Sequence, residues 1–248
     1  KQGFSAAAIQ VVEPFQEARE RITDTFGVRA VAAVDAAALH CDVLVLAVKP
    51  QQMKAAVAPL VGKLTQQVVL SIAAGLRVAD MAAWLGYGRI VRAMPNTPAL
   101  IGAGITGLFS DPSVDNNERD EVEKILRAVG TCVWVENEVQ MDVVTAISGS
   151  GPAYVFYFIE AIESAARTLG LDAESARQLT VQTFLGAAQL AAKSSESITT
   201  LRERVTSRGG TTEAALQTFA MQGVAAAIGQ GVIAANARGR ELGETLGK

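Results

Sequence analysis

The chain has 248 residues, a net formal charge of −3 and a hydrophobic share of 50%, enough for one large domain or two modest ones with buried cores. So small a negative charge gives no electrostatic reason to expect nucleic acid or an anionic membrane as partner, and aromatics at 5% give little material for base-stacking platforms. One histidine, His40, and two cysteines, Cys41 and Cys132, exclude a histidine triad, a multi-histidine metal site and a disulfide framework within one chain.

In chain order, Ala8 to Val12 reads as a short apolar strand ending at Glu13-Pro14. A helix over Phe15 to Phe26 and a strand over Val28 to Val31 follow. Asp35 is placed to cap a short helix over Ala36 to His40. His40 is expected on the surface, and the cysteines as small hydrophobes of a reducing cytoplasm. Val43 to Val48 is a continuous apolar run, as expected of a strand buried on both faces of a parallel sheet. Lys49-Pro50 ends it, and Gln51 to Leu64 reads as a helix. Val68 to Ile72 and Arg89 to Met94 read as strands, with a helix between them over Val78 to Leu85. Glu118 to Val129 is an amphipathic helix and Cys132 to Val135 a closing strand. The alternation predicts a doubly wound α/β sheet.

After Asp142 the pattern changes. Ser148-Gly149-Ser150-Gly151-Pro152 is a break, with Pro152 suited to the first turn of a helix. Residues 153–169, 172–193, 197–205, 212–222 and 224–240 then read as helices, and no strand pattern recurs. This divides the chain into a sheet domain, 1–143, and a helical domain, 144–248. Ala220 to Ala237 carries no formal charge but holds Gln222, Gln230, Asn236 and three glycines. It suits a helix in a subunit interface better than a membrane span.

In a sheet of this kind ligands bind beyond the C-terminal strand ends. Those ends carry Glu13, Ala47-Val48-Lys49-Pro50, Ala73-Ala74-Gly75 and Met94-Pro95-Asn96-Thr97-Pro98. Small residues there let a flat ring and a ribose approach the backbone, which suits a dinucleotide. The glycine-rich fingerprint expected after a first strand is absent from this sequence.

The motifs A-V-K-P-Q (47–51), S-I-A-A-G-L (71–76), R-A-M-P-N-T-P (92–98), I-S-G-S-G-P-A-Y (147–154) and T-S-R-G-G-T-T (206–212) occur in an order and spacing that resembles pyrroline-5-carboxylate reductases over nearly the whole chain. The resemblance implies a Rossmann-type domain followed by an all-helical dimerisation domain. It implies hydride transfer from NADH or NADPH to the C=N carbon of 1-pyrroline-5-carboxylate, giving L-proline in the cytoplasm. It also implies a homodimer, often assembled into a decamer, with an active site shared between subunits. Since the family begins with a strand and a glycine-rich loop, the chain is expected to lack both at its N-terminus.

By the same resemblance, Thr212 is the catalytic residue, bonding the ring nitrogen, and Ser207, Gly209, Gly210 and Thr211 bind the substrate with it. Read alone, the two glycines before a helix are a plausible anion site, or else an ordinary corner with a threonine N-cap. The cofactor-binding positions carried over are Glu13, Val48, Lys49, Pro50, Ala73, Ala74, Asn96 and Glu138, with Glu138 near the nicotinamide. Glu13 can accept hydrogen bonds from a ribose 2′-OH and repel a 2′-phosphate, which favours NADH, although Arg19 or Arg21 could reach a phosphate. No metal site is expected. The alternatives are a β-hydroxyacid dehydrogenase-type reductase, with Lys193 as the candidate lysine, and a non-catalytic dimeric fragment.

Overall fold

The computed structural model describes residues 3–247. By their contacts the residues group into two compact units: one reaches to Gly149 and includes the chain from Ala235 onward, and the other is Ser150–Ala234. The sequence-based division at 143/144 assigns the final helical residues to the helical part, whereas their contacts are with the first unit.

In the first unit, β1 (Gln10–Val12) pairs in parallel with β2 (Arg29–Val31) across α1 (Gln16–Phe26). Ala6–Ala8 is a single 3-10 turn, which shortens the expected first strand. Asp35 caps α2 (Ala36–Leu39) as the sequence suggests, accepting from the Ala38 N–H at 2.8 Å. Parallel strands β3 (Val43–Leu46), β4 (Val68–Ser71) and β5 (Ile90–Met94) follow. Strand β6 (Gly104–Ser110) runs antiparallel to β5, and β7 (Gly130–Trp134) parallel to β6. Among the described residues the seven strands form two hydrogen-bonded sheets, β1-β2 and β3-β4-β5-β6-β7, mostly parallel as the sequence predicts.

Between α2 and Gly149 the helices of this unit are α3 (Met53–Val57), α4 (Val78–Leu85), α5 (Asn116–Arg127) and α6 (Gln140–Val144). Register fixes which strand residues share a face. Leu46, Ser71, Arg92 and Phe109 are in line across four strands, as are Leu44, Val69 and Ile90 one pleat earlier. This face packs Met53, Val57, Met81 and Leu85 of α3 and α4. The opposite face, with Leu70, Val91 and Leu108, packs Val122 and Leu126 of α5. Burial on both faces is why β4 is apolar up to Ser71 and β5 is apolar apart from Arg92.

The helix expected over Gln51 to Leu64 is broken into a 3-10 turn, the short α3 and a second 3-10 turn at Ala58–Leu60. Pro59 is the cause, since it lacks an N–H and its ring collides with the preceding turn. Helix α5 starts before Glu118, because Asp115 and Glu118 form a reciprocal capping box. Strand β6 has no counterpart in the sequence reading. Among the titratable groups, His40 is exposed, and the half-buried Cys41 and Cys132 are free thiols whose burial raises their pKa.

The second unit is helical. It comprises α7 (Gly151–Thr168), α8 (Ala173–Lys193), α9 (Ile198–Arg204), α10 (Thr211–Met221) and the start of α11 (Val224–Leu246). Pro152 lies in the first turn of α7, and Asp172 caps α8 through the Ser175 N–H at 2.9 Å. Gly223, at φ +68°, separates α10 from α11, whose axes differ by 55°. Among the described residues no single helix is long and apolar enough to cross a membrane, although the bent pair α10–α11 reaches that length and composition together.

Candidate functional site

The cofactor candidates all lie in the first unit, at the C-terminal ends of β1, β3, β4 and β5 or just after β7. Glu13 follows β1 and is partly buried. Its N–H donates to the Val31 carbonyl at 2.9 Å, and its Oε1 accepts the Phe15 N–H at 2.9 Å. Arg19 Nη1 donates to the carbonyls of Glu13 and Pro14 at 2.9 and 2.7 Å, so that nitrogen is committed to the loop backbone. After β3, Ala47 and Lys49 are exposed, while Val48 and Pro50 are half-buried. After β4, the Ala73 N–H donates to Ser71 Oγ at 3.3 Å, Ala74 is exposed, and Gly75 turns the chain at φ +80°.

Asn96 follows β5. Its Oδ1 accepts the Ile105 N–H at 3.0 Å, which assigns the amide orientation and leaves the NH₂ end to donate elsewhere. Glu138 is more constrained than its expected role suggests. Its Oε1 accepts the Val78 N–H at the start of α4 at 2.7 Å and stands 3.3 Å from Arg92 Nη1. Oε2 has no hydrogen bond among the described residues.

Exposed Ala47 and Ala74, at the ends of neighbouring parallel strands, leave the backbone open to a flat ring or ribose. With a Glu13 carboxylate oxygen that has no partner among the described residues and a held amide on Asn96, the residues present fit a nicotinamide dinucleotide.

The first two residues of the S-G-S-G motif, Ser148 and Gly149, end a π-helical turn over Thr145–Gly149 in this unit. A Cβ at Gly149 would lie 2.5 Å from the Met94 methyl carbon, so the backbone at Gly149 lies against the end of β5. An apolar hollow lined by Phe4, Ile9, Val11, Ile22 and Phe26 includes none of the candidate residues.

The substrate candidates all lie in the second unit. Thr206 Oγ1 donates to the Arg202 carbonyl at 2.7 Å and closes α9. Gly209 takes φ +70°, and a Cβ at Gly210 would lie 2.5 Å from Ser207 Oγ, so both glycines are required by the turn. Both glycine N–H groups are consumed inside the loop. Gly209 donates to Glu213 Oε2 at 2.7 Å and Gly210 to the Ser207 carbonyl at 3.0 Å. An anion site here therefore falls to the N–H groups of Thr211, Thr212 and Glu213, which precede the first helical bond, Ala214 N–H to Gly210. The N-cap is Gly210, with no side-chain cap, rather than a threonine. The hydroxyls of Ser207, Thr211 and Thr212 have no protein partner among the described residues, Thr212 being half-buried and the other two exposed. No group of three or more His, Cys, Asp or Glu could hold a metal ion among the described residues.

Sequence reasoning missed Arg92, a buried arginine between Glu138 and Asp142. The available signal was its charge inside the apolar run Arg89 to Met94.

A mostly parallel sheet with helices on both faces and a ligand edge of small residues, followed by a helical unit, defines an NAD(P)H-dependent oxidoreductase of Rossmann type with a dimerisation domain. The family model "Pyrroline-5-carboxylate reductase dimerisation" matches residues 138–242, and "NADP oxidoreductase coenzyme F420-dependent" matches residues 1–75. The pyrroline-5-carboxylate reductase of Pseudomonas aeruginosa is 45% identical over 100% of this chain and 91% of its own. That of Haemophilus influenzae is 40% identical over 99% and 91%. The solved pyrroline-5-carboxylate reductase of Coxiella burnetii superposes with a TM-score of 0.92 at 40% identity, covering 97% of this chain and 90% of that one. The Plasmodium falciparum pyrroline carboxylate reductase, solved with NADP bound, gives 0.79 at 30% identity over 87% and 82%. The chain belongs to the pyrroline-5-carboxylate reductase family.

Proposed function

We propose that this chain reduces 1-pyrroline-5-carboxylate to L-proline, the last step of proline biosynthesis, with Thr212 as the residue that polarises the imine. The supporting observation is the N-terminus of α10, where, among the described residues, a threonine hydroxyl without a partner stands beside unbonded backbone N–H groups. Those N–H groups and the helix dipole suit the substrate carboxylate, and the hydroxyls of Ser207 and Thr211 add donors. The shape of the turn is set by Gly209 and Gly210. Thr212 donates to the ring nitrogen as it gains electron density. A threonine is a weak acid, so its contribution is orientation and polarisation, and the proton that balances hydride addition at the nitrogen comes from solvent water.

NAD(P)H, when bound, supplies the hydride. Glu13 holds the adenosine ribose, and Val48, Lys49, Pro50, Ala73 and Ala74 line the dinucleotide along the strand ends. Asn96 also serves the dinucleotide, and Glu138 lies near its nicotinamide end. Holding the two rings face to face supplies most of the rate. The chain works as a cytoplasmic homodimer, which can assemble further into a decamer, and the Ser207–Thr212 loop of one subunit serves the cofactor held by its mate.

The test follows NADH oxidation in the presence of pyrroline-5-carboxylate. Wild type turns over, and Thr212→Ala lowers kcat by roughly a hundredfold with Thr212→Ser intermediate, the scale of losing one transition-state donor. An unchanged rate in Thr212→Ala removes Thr212 from the mechanism.

A further inference from the structure

Arg92 lies on β5, on the face of the sheet that packs α3 and α4, and is only 3% exposed. Its neighbours across the ladder are Ser71, fully buried, and Phe109. A guanidinium in such surroundings needs paired anions. Two come from the segment after β7. Glu138 Oε1 lies 3.3 Å from Nη1 and Asp142 Oδ1 3.6 Å from Nη2, and Asp142 is itself buried. The segment can lie against the sheet because β6 carries Gly107, where a Cβ would be 2.5 Å from Val144 Cγ1. The same Glu138 oxygen accepts the Val78 N–H. One buried arginine therefore ties together the end of β5, the start of α4 and α6.

A well-packed apolar residue of similar volume commonly replaces a buried ion pair without loss of stability. The fold alone thus gives little reason for a charge at this position. The network does, however, hold one oxygen of Glu138 from two directions and leave the other without a partner among the described residues. We propose that Arg92 is a positioning residue for hydride transfer, acting through Glu138. By fixing Oε1, it presents the remaining oxygen in one orientation to the nicotinamide end of the cofactor. The proposal rests on the reductase reading and on the place of Glu138 in it.

The experiment uses full-length Arg92→Met, Arg92→Lys, Glu138→Gln and the double variant Arg92→Met/Glu138→Gln. Four quantities are measured: steady-state kinetics with pyrroline-5-carboxylate, NADH Kd by cofactor fluorescence, thermal melting, and the kcat coupling between the two sites. In Arg92→Met, kcat is expected to fall about tenfold or more while the NADH Kd changes by no more than about threefold. Arg92→Lys should recover part of the loss. The double variant should be no slower than the slower single variant, because the residues act as one unit. Unchanged kcat in Arg92→Met, or single effects that multiply in the double variant, overturn the proposal. If Arg92→Met does not fold, Arg92→Lys and Glu138→Gln carry the test. Both must then lose kcat with melting within about 3 °C of wild type, and full kcat in either one overturns it. Wild type that fails to reduce pyrroline-5-carboxylate sinks the reductase reading instead, whatever the variants do.

Discussion

Glu13 is the residue we propose to select between NADH and NADPH. One oxygen is fixed by the Phe15 N–H, so the carboxylate is held at the end of β1. A negative charge held there accepts from a ribose 2′-OH and repels a 2′-phosphate. Arg19, the nearest candidate for a compensating cation, has Nη1 committed to the carbonyls of Glu13 and Pro14. We therefore expect NADH to be preferred. In Glu13→Ser the ratio of kcat/KM for NADPH over NADH should rise about tenfold, the scale of removing one like-charge contact. An unmoved ratio means that Glu13 does not select the cofactor. The acidic side chain was legible in the sequence because it ends an apolar strand. The commitment of Arg19 was not, because it depends on how α1 folds back on the loop. Arg92 was missed for a related reason: its partners lie over forty residues away in sequence, and only the register of β5 brings them to it.

Among the elements, α5 and β7 are joined by a polar contact that reports on acid stability. Trp134 Nε1 donates to Glu123 Oε2 at 2.7 Å, and the Arg119 guanidinium sits 4.1 Å over the same ring. The indole N–H and then Arg127 hold the Glu123 carboxyl below its ordinary range. A carboxylate depressed in the folded state adds stability above its unfolded pKa, and that stability is lost as pH falls through the folded value. In a Trp84→Phe background, Trp134 fluorescence should therefore stay flat through the ordinary carboxylate range and change only below it. Glu123→Gln should abolish the transition. A transition within the ordinary range would rule out a depressed Glu123.

Elements of this kind were mostly readable, since apolar runs and caps mark β3, β4, β5 and α2. Strand β6 was not. The sequence Gly104-Ile-Thr-Gly-Leu-Phe-Ser110 carries two glycines, which weaken any strand pattern. Packing requires both: a Cβ at Gly104 would meet Ala99 at 2.8 Å, and one at Gly107 would meet Val144. The residues that hide the strand are those its neighbours need.

At the scale of the whole molecule, the helical unit does not close a core from its own residues. Helices α7, α9 and α10 bury no residue, and α8 buries only Ala176 and Thr180. Phe156, Tyr157, Leu179, Phe219 and Ile233 are each more than half exposed. An apolar surface of that extent on an isolated chain requires cover, and residues 138–242 match a dimerisation family. The uncharged stretch Ala220 to Ala237, read from sequence as an interface helix, contributes Ile233 to this surface. If two copies bury these faces together, folding and association are one equilibrium, and the melting temperature must rise with protein concentration. Light scattering should give at least twice the chain mass. Phe156→Glu or Ile233→Glu should lower both the mass and the concentration dependence, since an unpaired charge in a buried interface is strongly unfavourable. A wild-type monomer whose melting temperature is independent of concentration would mean that these helices are stable uncovered, and that the exposed apolar faces serve something other than self-association.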